Sequence, residues 1–148
     1  MDAWVTLLAT VVGAAIALMG QHFMKRAEDR SRLSELLLEQ CALVAASAAD
    51  FEGRIWEERV LGLEGRVSGF DLSANQLAFV RLRILSRDRA LSSALEELNE
   101  AGEKLGSYWR RGGGDDAEVT RRWTRHHSAL VEFIAVSGEV VPRRLASA

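Results

Sequence analysis

The chain has 148 residues, a formal net charge of -2 at pH 7, one cysteine and one proline. A balance this close to neutral supplies no positive field to gather phosphates, so nucleic acid is not an expected partner. The lone Cys41 excludes an intrachain disulfide, and the scarcity of proline suits a helical chain, because proline costs about 3 kcal/mol in a helix interior.

Residues 3–24, AWVTLLATVVGAAIALMGQHFM, contain no charged side chain and end abruptly at Lys25 and Arg26. As a helix this stretch would measure about 33 Å, enough to cross a hydrocarbon layer of about 30 Å. A cleaved signal peptide is a poorer fit, since Asp2 stands where a positive n-region belongs and the apolar run continues past the small residues Ala15 and Ala17. A buried soluble helix would need a clearer polar face than Thr6, Thr10 and Gln21 provide. The expectation is therefore a transmembrane anchor over residues 1–24. Lys25, Arg26, Arg30 and Arg32 follow the span, and only Asp2 precedes it. The positive-inside rule then sets the N-terminus outside and the remainder in the cytoplasm of a bacterial inner membrane. Ala9, Gly13, Ala17 and Gly20 form a small-residue stripe, a candidate association face within the membrane. Trp4, Lys25 and Arg26 are candidate membrane-surface contacts at its two ends.

Residues 25–148 are expected to form one cytoplasmic helical domain. No Gly or Pro lies between Gln21 and Glu52, so the membrane helix is expected to run on without interruption. From Leu33, the residues Leu37, Cys41, Val44, Ala48, Phe51 and Ile55 recur at threes and fours, which predicts a helix over 27–59 with one buried face. Cys41 falls on that face as a small core residue. Gly62, Gly65 and Gly69 then mark a connecting loop, with no strand before them and no GK[ST] after them to make a phosphate loop.

A second helix is predicted over 74–109, opened by a capping box of Ser73 with Gln76 and a staple of Leu72 with Leu77. Its face reads Leu77, Val80, Ile84, Leu91, Leu95, Leu98, Leu105 and Trp109, interrupted by Arg87 and Asp88, which are expected to turn outward. Gly112 to Gly114 make a turn, Asp115 or Asp116 caps a third helix over 117–140, and that helix should fray near Gly138 or Pro142. Its apolar side is Val119, Trp123, Leu130, Phe133, Ile134 and Val140.

The fold class expected is all-α: one N-terminal transmembrane helix continuing into a cytoplasmic three-helix up-down-up bundle or coiled coil. Equal distances from the turns would set Glu96, Glu97, Glu100 and Glu103 beside Arg121, Arg122 and Arg125, and Asp50 and Glu52 beside Arg81 and Arg83. A second helix returning to the membrane would also carry Trp109, Arg110 and Arg111 back to the lipid surface, where aromatic rings beside arginines suit a headgroup layer.

No catalytic motif appears, and no cofactor or metal is expected. His126 and His127 are neighbours about 100° apart on a helix, without HxxxH or HExxH spacing, so structural roles are expected for both. The layout of short outer end, single span and long helical part resembles membrane-tethered stalk and scaffold subunits, such as the peripheral stalk subunit of rotary ATP synthases. The function expected is a non-enzymatic, single-pass scaffold or protein-interaction module, with membrane lipid and a protein partner or a second copy as its contacts. The alternative is a small membrane-acting or pore-forming protein assembled through the span.

Overall fold

In the computed structural model the backbone is described for residues 2–146 and the side chains for residues 28–143, except Arg30. Four helices and no strand occur among the described residues: α1 (Asp2–Leu61), α2 (Leu72–Leu85), α3 (Arg89–Arg110) and α4 (Asp116–Ala146). The fold class is all-α. Helix α1 is continuous, as the absence of Gly and Pro between Gln21 and Glu52 implies. Among the described residues no helix is long and apolar enough to cross a membrane. The expected span, with Trp4, Ala9, Gly13, Ala17, Gly20, Lys25 and Arg26, lies outside the residues whose side chains are described.

The predicted second helix is two helices. Ser86 and Asp88 both have extended backbones (ψ 127° and 126°), and the chain reverses between α2 and α3. Asp88, expected only to turn outward, accepts the Leu91 amide at 3.0 Å and so caps α3, while Ser86 Oγ accepts the Asp88 amide at 3.3 Å. The predicted capping box is also displaced: Asp71 caps α2 by accepting the Ala74 amide at 2.9 Å.

Cross-links between helices define the direction of each. Ser47 bonds Asn75 at 2.8 Å, and Leu36 and Gln40 meet Ile84 and Leu85, so α2 descends along α1. Trp109 Nε1 donates to Glu58 at 2.6 Å near the end of α3, so α3 climbs again, parallel to α1. Arg59 pairs with Asp116 at 2.6 Å, and Ser137 reaches Cys41 at the other end, so α4 descends. The arrangement is a four-helix up-down-up-down bundle in place of the expected three-helix one.

This reversal overturns three expectations. Leu77, Val80 and Ile84 face outward, and Ala78, Phe79 and Leu82 fill the core instead. Asp50 pairs with Arg54 at 2.7 Å and Glu52 turns to α4, so neither meets Arg81 or Arg83. The loop before α2 folds inward and seats Val67 and Phe70 against Phe51 and Ile55. Trp109, Arg110 and Arg111 end beside Glu58, about 50 Å along α1 from Lys25, so α3 does not return them toward the segment expected in the membrane.

Other expectations hold. Leu37, Cys41, Val44, Ala48, Phe51 and Ile55 are buried, with Leu33 left at the exposed end of the stripe. Asp115 caps α4 through the Ala117 amide at 2.9 Å. Of the arginines expected to face the α3 glutamates, Arg125 pairs with Glu97 at 2.8 Å and reaches Glu100 at 4.0 Å across the α3–α4 hairpin, whereas Arg121 and Arg122 pair with Glu118 on their own helix. Helix α4 nevertheless passes through Gly138 and Pro142 to Ala146, because Val140 and Val141 are anchored in the core; packing there outweighs the hydrogen bond that proline lacks.

Candidate functional site

Among the described residues, the buried side of α1 carries one carboxylate, Glu52. Glu52 sits beside Phe51 and one turn after Ala48, both of which are buried, so it is carried into the interface with α4. There His126 Nδ1 meets Glu52 Oε1 at 2.8 Å and His127 Nδ1 meets Oε2 at 3.1 Å. The two rings diverge as neighbours on a helix must, yet one carboxylate with two oxygens serves both. Burial pushes the Glu52 carboxyl up, but the hydrogen bonds from His126 and His127 and their positive charge outweigh it and hold the group below the ordinary carboxylate range.

The surroundings fix both rings. His126 is 2% exposed and meets Phe51 edge-on at 5.8 Å between centroids. His127 is half exposed and stacks on Trp123 at 5.2 Å, nearly parallel. No group of three or more His, Cys, Asp or Glu side chains able to hold a metal occurs among the described residues. Cys41 is buried, which pushes its thiol up despite the hydrogen bond from Ser137, and nothing around it activates a nucleophile.

His126 also lines a cleft of about 430 Å³ between α1, the 62–71 loop, α2 and α3. Phe51, Val67, Phe70, Phe79 and Leu98 make it largely apolar, and Asn75, Gln76, Asn99, Glu103 and Arg110 give it a polar rim. Sequence reasoning missed Glu52 as the partner of both histidines. The available signal was a gap: the α4 stripe steps from Trp123 to Leu130, and His126 fills the missing position.

A second feature lies on the outside. Helix α2 presents Leu77, Val80 and Ile84 to solvent, and Ile84 is 74% exposed. Ile84 continues onto α1 through Leu36, around the buried Gln40, whose Oε1 has no hydrogen-bond donor. The nearby Arg81, Arg83, Arg87 and Arg89 have no ion-pair partner among the described residues. Of the other sequence-predicted contacts, Trp109 is partly buried against the core and held by Glu58, and Arg110 and Arg111 are exposed.

The chain matches no protein-family model, no curated protein and no solved structure.

Proposed function

We propose that this protein is a membrane-tethered, non-enzymatic helical interaction module, with the 3–24 segment as its anchor and the bundle on the cytoplasmic side of a bacterial inner membrane. The observation that carries the interaction part is the outward apolar stripe of α2. Leu77, Val80 and Ile84 occupy helical spacing that would normally face a core, and they face solvent. Beside them Gln40 Oε1 is a buried acceptor awaiting a donor, a feature that a docked helix would repair. The partner is an amphipathic helix, from another protein or a second copy, and confinement to the membrane raises its effective concentration.

The anchor rests on the uncharged 3–24 run and the basic residues after it. The bundle supports the same orientation, because Arg81, Arg83, Arg87 and Arg89 lie around the α2–α3 turn, at the end of the bundle nearer to residue 25. Anionic headgroups attract such a cluster. The test is photocrosslinking in membranes from a probe at Val80, with alkaline extraction of the same membranes. Crosslinks that disappear with Ile84→Asp, in a protein that resists extraction, are expected. An Ile84→Asp pattern identical to that of the parent overturns the docking face, and release of the protein by alkali overturns the anchor.

A further inference from the structure

The cleft above His126 has a built polar end that the interaction reading does not use. Gly102 and Gly106 lie one turn apart on α3, about 6 Å from each other. At Gly102 an added Cβ would stand 3.4 Å from both Cδ2 and Nε2 of His126, so glycine is what leaves that edge of the ring uncovered. At Gly106 an added Cβ would stand 3.1 Å from Phe51 Cζ and 3.3 Å from Arg110 Nη1, so the second glycine leaves room for the guanidinium beside the helix. The Arg110 guanidinium and the His126 ring both line the same cleft.

We infer that this cleft binds a small amphipathic monocarboxylate, its apolar body against Phe70, Phe79 and Leu98 and its carboxyl group held between Arg110 and His126 Nε2.

Several observations select that chemistry. The volume of about 430 Å³ suits a small organic molecule, and the apolar floor supplies the burial such ligands need. Arg110 has no ion pair or hydrogen bond among the described residues, although it lines a cleft, and a guanidinium matches a carboxylate in shape and charge. With Nδ1 of His126 committed to Glu52, Nε2 is the free ring nitrogen. It accepts the O–H of a carboxylic acid, or donates to a carboxylate once the proton is on the ring, and the pair is the same either way. A carboxyl group offers one oxygen to each of the two nitrogen groups. Glu103, on the same rim and bonded by Asn99 at 3.0 Å, repels a second negative charge and so favours a monoanion over a phosphate or a dicarboxylate.

The test uses the full chain in zwitterionic nanodiscs, with empty nanodiscs subtracted, and isothermal titration with 1-naphthylacetate. The neutral alcohol 2-(1-naphthyl)ethanol, with the same apolar body, is the comparison. Saturable binding of the acid is expected, at least tenfold tighter than the alcohol, and weakened tenfold or more by Arg110→Gln. Arg111→Gln, an exposed neighbour outside the cleft, should leave it unchanged. Gly102→Val, which covers the Nε2 edge, should weaken the acid as well. Arg110 is exposed, so its replacement keeps the test valid if Gly102→Val misfolds. Absence of saturable binding at millimolar acid, equal affinity for acid and alcohol, or equal effects of Arg110→Gln and Arg111→Gln would each overturn the assignment.

Discussion

Replacing Glu52 by Gln probes the interior of the bundle most directly. The substitution keeps the shape of the side chain and removes the charge that both histidines face. One oxygen is retained, so one Nδ1–H keeps an acceptor, while the other faces an amide that only donates. Hydrogen bonds to charged groups contribute about 1.5–3 kcal/mol each, and stranding one partner of a buried pair costs about 3–5 kcal/mol. His126 is buried at 2.8 Å and His127 half exposed at 3.1 Å, so the larger share belongs to His126. A loss of about 2–4 kcal/mol is expected, which for a chain of this size lowers the melting temperature by about 10 °C. Far-UV circular dichroism of the full chain measures it, with Glu57→Gln as control. Glu57 pairs with Arg66 at the surface, and its loss should cost less than about 1 kcal/mol. Equal melting of Glu52→Gln and Glu57→Gln would refute the argument that the buried carboxylate organises the α1–α4 contact.

The pH dependence has a fixed sign. Glu52 is held below its unfolded-state value of about 4.3, so its contribution is complete above that pH and is lost as pH falls through the lower folded value. The parent should lose this share of stability in acid below about pH 4.3, and Glu52→Gln should not. Asp88→Ala removes the cap on the Leu91 amide and should cost about 1 kcal/mol in the same melting assay. Gly113→Ala places a side chain at φ +45°, with its Cβ 3.1 Å from Trp109 Cε3, and should cost about 1–2 kcal/mol. In a variant whose only tryptophan is Trp109, emission should be the same in zwitterionic and anionic nanodiscs. A blue shift with anionic lipid would return Trp109 to the membrane surface.

The sequence by itself determined the helical class, the continuous first helix, the inward face from Leu37 to Ile55 and the glycine turns, because each follows from local periodicity or from conformations that glycine adopts freely. It also placed Arg125 opposite Glu97, since α3 and α4 are joined by a short turn and distance from the turn sets their register. The reversal at Ser86–Asp88 carried a local sign in the Asp88 cap, but the heptad-like run of leucines on either side masked it. The alternative faces of α2 have similar apolar content, so only packing against α1 decided that Phe79 and Leu82 go inward and Ile84 outward. The union of Glu52 with His126 and His127, and the cleft above them, was decided wholly by tertiary structure. Seventy-four residues separate Glu52 from His126, and no local rule couples them; a buried carboxylate must find donors, and the direction of α4 delivers two.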